Sequence, residues 1–342
     1  MSYTSQSGDI NLDVKRVVAY RHWCNKLWNA IRFALINLPS DFIPSSDLTL
    51  SDMPAPARWI LSRLSNATKA IVDAMESYEF GNATKILYAF WMDDLCDVYI
   101  EMMKPVMAME DGDVKRNTRE ALWLCLDHGL RLLHPFMPFV TEELWQRLPR
   151  RADQSDVPSI MVAPYPAFQP QWVDLQLEED VKYVNCVVNR TRQIRADYGL
   201  VSNQKPHLYI VCESEQLRSV LELFKKDIAT LSYSTEVGVM SETGKVPDGC
   251  SVSVVDADTR LHLQLTEILD PVKEIEKLSA RLEDAKKNAE KLSEKISKAA
   301  YKEKTPENIQ AIDKENLDKK RAEIENLQSS IASMEQLKSH HS

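Results

Sequence analysis

Four residues at helical spacing are the first candidates for chemistry: His22, Lys26, Asn29 and Phe33. At about 100° per residue they form one column on a helix. A cation suits phosphate, an amide reads base edges and an aromatic ring stacks, which are the groups that recognition of unpaired bases requires. Arg21 and Arg32 flank the column. From spacing alone Phe33 has two roles open to it, a platform for a base or a plug beneath a neighbouring helix. The second candidate is a lysine group near the C-terminus: Lys286, Lys287, Lys291, Lys295, Lys298, Lys302 and Lys304, with Tyr301 among them. Phosphate contact or the charged flank of a coiled coil would each account for it.

Catalytic constellations are missing. Gly238 and Gly244-Lys245 are separated by five residues, and Val246 stands where a phosphate-binding loop needs Ser or Thr. No G-x-G-x-x-G, H-E-x-x-H or G-x-S-x-G occurs. His134, in a Pro- and Phe-rich helix entry, is expected to be a hydrogen-bonded structural histidine. Asp93 and Asp94 are adjacent on a helix and diverge, so solvated or capping roles are expected.

The charge is −9 overall but uneven. Residues 271–342 carry 15 Lys/Arg against 14 Asp/Glu, and the rest of the chain 27 against 37. Within 286–304, seven lysines face three glutamates, a local excess that suits a polyanion. Six cysteines lie at least 24 residues apart, which gives no zinc half-site and no disulfide framework, and reduced, mostly buried thiols are expected. No apolar run is long enough to span a membrane, and a cytoplasmic protein is expected.

The elements that must position these groups are mainly helical. Residues 1–11 have no period and read as a tail. The segment 12–148 reads as a bundle, with long helical patterns at about 12–37, 57–79, 82–104 and 113–133 and a shorter helix in HPFMPFVTEELWQRLP. Asn82 is the expected N-cap of the third. Residues 149–200 form a Pro-rich connector and another helix. Residues 201–270 change period: HLYIVCE, STEVGVMS, CSVSVVDA and RLHLQLTE read as strands and EQLRSVLELFKKDIATL as a helix, a small α/β unit. From 271 to 338, Ile275, Leu278, Leu282, Ala285, Ala289, Leu292, Ile296 and Ala299 make a heptad seam. A weaker seam follows after Thr305-Pro306, so an antiparallel coiled-coil hairpin is expected.

CNKLWNAIRFAL, ARWILSRL and HPFMPFVTEELWQRL, in that order, resemble the anticodon-binding bundle of class Ia aminoacyl-tRNA synthetases. Together with YTSQSGDINLDV, IRADYGLVSNQKP and the K-x-x-Y-x-x-K-T-P stretch, the chain is similar to the C-terminal portion of the valyl-tRNA synthetases of the eukaryotic cytosolic type. That resemblance implies a bundle reading the valine anticodon through Lys26, Asn29, Arg32 and Phe33, with His22 beside them. It also implies an arm, carrying the lysines and Tyr301, on the tRNA elbow. Class I activation needs an H-x-G-H stretch and a K-M-S-K-S loop, and neither occurs here. The resemblance therefore implies a fragment beginning just after the catalytic part, non-catalytic and without cofactor of its own, ATP and Mg belonging to the parent catalytic domain. The implied partners are valine tRNA and that catalytic domain. The alternative is a coiled-coil scaffold or regulatory module that takes a protein partner.

Overall fold

A computed structural model describes residues 14–39, 41–45, 49–151, 156–242, 244–247, 250–265 and 271–297, together with Gln310, Leu317, Lys320, Ile324, Gln328 and Ile331. The chain divides into two compact units, Met1–Lys182 and Tyr183–Ser342. The first is a helical bundle. Helix α1 (Val14–Asn37) buries one stripe, Trp23, Leu27, Ala30, Ile31, Ala34 and, just past its end, Leu38, against α5 (Asp113–Leu133) and α6 (Pro138–Trp145). That stripe is the three- and four-residue apolar spacing of the sequence made physical. Each large side chain taken from water contributes about 1.5–3 kcal/mol.

Helix α2 (Ala55–Glu76) starts after Pro54, with Pro56 in its first turn, where a missing N–H costs nothing. It stops before Tyr78, whose φ of 59° is left-handed. The next helix starts at Phe80 with Glu79 as its cap, not at the expected Asn82, which lies one turn inside. It runs as α3 (Phe80–Ala89), a π-helical stretch Phe90–Tyr99 and α4 (Ile100–Met107).

The π stretch begins beside a tight contact. Trp91 is fully buried against α5 (Asp113–Leu133), and its Nε1 donates to the Gly129 carbonyl at 3.4 Å. A Cβ on Gly129 would stand 2.8 Å from Trp91 Cζ2, so glycine is what lets the indole lie this close to the α5 backbone. Helix α5 is the axis of the bundle, with every residue from Glu120 to Leu133 buried. Within it Asp127 accepts from Trp145 Nε1 at 2.7 Å and pairs with Arg131, which donates to the Pro164 carbonyl at 2.7 Å. Helix α6 (Pro138–Trp145) and the connector to residue 174 are thereby fastened to the core.

Asp94 is not solvated. It accepts from Arg63 Nε at 3.0 Å, and Arg63 also donates to Glu178 at 3.0 Å. Glu178 receives Ser62 at 2.5 Å and Asn66 at 2.6 Å as well, so one carboxylate joins α2 to the start of α7 (Leu175–Asp197). His134 is hydrogen-bonded, as expected: its Nδ1 stands 2.7 Å from Thr141 Oγ1. All six cysteines are free thiols. Cys96, Cys125 and Cys212 are buried, while Cys186, against expectation, is exposed on α7.

The second unit holds a four-stranded sheet of order β2-β1-β4-β3. Strand β1 (Leu208–Cys212) pairs in parallel with β2 (Val237–Met240) and antiparallel with β4 (Thr259–Gln264), which pairs antiparallel with β3 (Cys250–Val254). Leu208, Ile210, Leu261 and Leu263 point inward by the two-residue alternation. The single helix expected at 215–231 is two, α8 (Glu215–Leu223) and α9 (Lys225–Ser232), because Phe224 leaves helical geometry to bury its ring. Helix α10 (Pro271–Ser297) buries Ala285 and Ala289, and Leu317 is buried too.

Candidate nucleic-acid interface

Helix α1 holds Lys15, Arg16, Arg21, Lys26 and Arg32 and no Asp or Glu across its 24 residues. On a chain with 51 acidic residues, that makes α1 a positive rod on an acidic body. The structure keeps the column of the sequence together. His22 and Asn29 are exposed, with Arg21 and Arg32 exposed beside them, while Lys26 and Phe33 are half-buried.

Phe33 resolves neither of its two roles outright. Its ring is neither in the core nor fully wet, so it is held in place while part of its surface stays open. The end of α1 beneath it is tied down. Asn37 Nδ2 donates to the Phe33 carbonyl at 2.8 Å, and Arg119 Nε donates to the Asn37 carbonyl at 2.8 Å. A stacking platform must be fixed before the base arrives, or its ordering entropy subtracts from affinity.

Lys26 carries a feature that its own neighbourhood in sequence does not announce. Its Nζ stands 2.5 Å from Asp97 Oδ1, 71 positions away on the π stretch. Such exposed pairs contribute about 0–1 kcal/mol. Asp97 fixes the direction of the ammonium and offsets part of its charge. Next to them burial pushes the Cys96 thiol up to about 12, against the pull of Lys26, so it stays protonated and adds no anion.

A second column escaped the sequence reading. Arg21, Asn25, Trp28 and Arg32 follow one another at intervals of 4, 3 and 4, one residue and so about 100° around the helix from the first. Trp28 is 43% exposed, and the Arg147 guanidinium lies 5.3 Å from its ring centroid. Arg147 also pairs with Glu143. An exposed Trp at the i+7 position from one arginine and i−4 from another was the available signal.

The arm is only partly within the described residues. Lys286, Lys287, Lys291 and Lys295 are exposed on α10, and Lys287 pairs with Glu283 at 2.8 Å. Lys298, Tyr301, Lys302 and Lys304, and the turn expected near them, lie outside the described residues. Among the described residues no group of three or more His, Cys, Asp or Glu is placed to hold a metal ion. No described helix is long and apolar enough to cross a membrane.

Residues 57–210 match the family described as the anticodon-binding domain of tRNA ligase. That match begins inside α2, so α1 precedes it. Relatives cover α1 as well. A valine–tRNA ligase of Takifugu rubripes is 41% identical over 98% of this chain and 28% of its own length. One of Homo sapiens is 38% identical over 97% of this chain and 26% of its own length. A mitochondrial valine–tRNA ligase of Saccharomyces cerevisiae is 32% identical over 98% of this chain and 30% of its own length. The chain thus spans under a third of these relatives. With an anticodon-binding domain at 57–210 and alignment over nearly its whole length, the chain belongs to the valine–tRNA ligase family, as a homologue of part of such an enzyme.

Proposed function

We propose that this chain is the tRNA-binding portion of a valine–tRNA ligase, reading the valine anticodon with α1. The observation that carries this is the helix itself: a rod of five cations without a carboxylate, presenting His22, Asn29 and Arg32 in the open and Phe33 half-open. Lys26 stands among them, with Asp97 aiming its ammonium. In the proposal Phe33 stacks on an anticodon base, and Lys26, Asn29 and Arg32 read base edges and phosphates, with His22 at the margin. The lysines of α10, with Lys298, Tyr301, Lys302 and Lys304 beyond it, contact the tRNA elbow. Their support is charge: seven lysines against three glutamates in 286–304.

Positioning is the contribution we assign to the chain. Valine activation, with ATP and Mg, belongs to a catalytic domain outside it, and binding at the anticodon orients the tRNA toward that domain. The cytoplasm is the compartment we assign, since vertebrate relatives whose names carry no organelle match at 38–41%.

The test is the affinity of the chain for valine tRNA beside the same tRNA with its anticodon replaced. A preference of about fivefold or more for the native anticodon is expected, the scale of one lost stacking contact. Equal affinities contradict anticodon reading. Valine-dependent exchange of pyrophosphate into ATP above background contradicts the non-catalytic assignment. The rival is a scaffold that pairs through α10 with another protein's helices. Heptad pairing is nearly insensitive to salt, whereas phosphate contacts weaken with a log–log slope of about 0.7–0.9 each.

A further inference from the structure

The Phe33 column uses one side of α1 and leaves Arg21, Asn25 and Trp28 of the second column without a role, Arg32 being shared between the two. Its residue types repeat the chemistry of the first: cation, amide, aromatic, cation. Trp28 is a large ring left 43% exposed in the middle of a helix whose other tryptophan, Trp23, is buried. Desolvation alone favours burying a ring of this size, so its position calls for something that covers it.

What surrounds Trp28 is cationic. Arg21 and Arg32 lie above and below it on the same column, and Arg147 leans over its ring at 5.3 Å from the C-terminal end of α6. Glu143, paired with Arg147, is the one carboxylate tied to this group by an ion pair among the described residues. An indole flanked by guanidinium groups suits a nucleotide, with the base against the ring or against the Arg147 plane and the phosphates on Arg21 and Arg32.

The geometry points to Trp28, with Arg21, Arg32 and Arg147, as a second stacking site that holds an unpaired RNA nucleotide outside the set read by the Phe33 column. The site rests on RNA being the partner of α1, and it adds grip rather than base choice. Ring stacking accepts any base, and arginine contacts to phosphate carry no sequence information. One helix then divides the work, Phe33 for discrimination and Trp28 for affinity.

Fluorescence anisotropy on the 342-residue chain separates these roles. The RNA probes are valine tRNA and the same tRNA with its anticodon replaced. The variants are Trp28→Ala, Trp28→Phe, Arg21→Gln and Arg147→Gln, each with a thermal melt to confirm folding. Trp28→Ala is expected to weaken both RNAs by about tenfold or more while the ratio between them stays at its wild-type value. Trp28→Phe, which keeps a ring, should stay within about twofold of wild type. Arg21→Gln should reduce the salt slope by about 0.7–0.9, whereas Arg147→Gln, which removes a stacking plane, should weaken both RNAs and leave the slope near its wild-type value.

A Trp28→Ala chain that binds both RNAs as tightly as wild type overturns the site. The face, with Val17, Leu35 and Ile36 exposed along it, would then be a protein-docking ridge. Loss of the anticodon ratio on Trp28→Ala overturns it differently, by showing the two columns to be one site. If wild type shows no anticodon preference but Trp28→Ala still weakens binding, anticodon reading fails and the second stacking site stands. If wild type binds neither RNA, both fall.

Discussion

At the scale of single residues, Lys26 and Asp97 show how a helix face is tuned by a partner far away in sequence. The pair joins a half-buried lysine to an exposed carboxylate, with side-chain accessibilities of 34% and 57%, and contributes little to stability. Its effect lies in the charge offered to RNA. Asp97→Asn is expected to move the melting midpoint hardly at all, less than about 1 kcal/mol. The same change should tighten RNA binding a few-fold and steepen its salt dependence, measured by anisotropy over a range of salt. His22, Asn29 and Arg32 could be placed on an exposed face from their spacing alone. Asp97 could not, because nothing local to residue 26 reports which carboxylate the π stretch will bring to it. Trp28 was hidden by its type, since a helical Trp is expected in the core and only the folded position of α6 shows it outside.

At the scale of elements, the helices follow from their apolar stripes, and what departed from expectation has a tertiary cause. The π stretch Phe90–Tyr99 carries Trp91 onto Gly129, and no period in FWMDDLCDVY distinguishes it from an α-helix. Gly129→Ala is expected to destabilise the bundle by about 1–3 kcal/mol, because the added methyl meets the indole at 2.8 Å. Denaturant unfolding followed by tryptophan fluorescence checks it. Glu178 is the second such device. Removing it by Glu178→Ala strips three donors, Ser62, Arg63 and Asn66, of their shared acceptor and leaves Arg63 with Asp94. A loss of about 2–4 kcal/mol is expected in the same assay, the cost of several charge-assisted bonds broken on one side. The break at Phe224 between α8 and α9 was equally invisible, since the burial of its ring is a tertiary matter.

At the scale of the whole molecule, two features can be addressed without touching the interface. All seven tryptophans lie at or before Trp172, so their fluorescence reports the first unit alone. In that unit burial, aided by Arg131, lowers the His128 pKa to about 4 from an ordinary 6.5. The unfolded chain therefore takes up this proton first. Stability from the neutral imidazole is full above about pH 6.5 and is lost as pH falls toward 4, about 3 kcal/mol in all. Tryptophan-detected melts at pH 7 and pH 5 should show the drop, and His128→Asn should flatten it. In the second unit Asp227 has the opposite sign: burial raises it to about 7, so its contribution is present at low pH and fades as pH rises from about 4 to 7. The uneven charge was readable from composition, with an acidic body and a lysine-rich arm. The cation-only character of α1 was in the sequence too, but its meaning required knowing which side of the helix stays open.

The central claim is that α1 reads an anticodon with Phe33 as the platform, and one ratio tests it. Affinity for valine tRNA divided by affinity for the anticodon-replaced tRNA is measured by anisotropy for wild type and for Phe33→Ala. The account predicts a wild-type ratio of about fivefold or more, falling to near one in Phe33→Ala, with the variant melting within a few degrees of wild type. A Phe33→Ala chain that keeps the wild-type ratio would contradict it, and the half-buried ring would then be a packing residue.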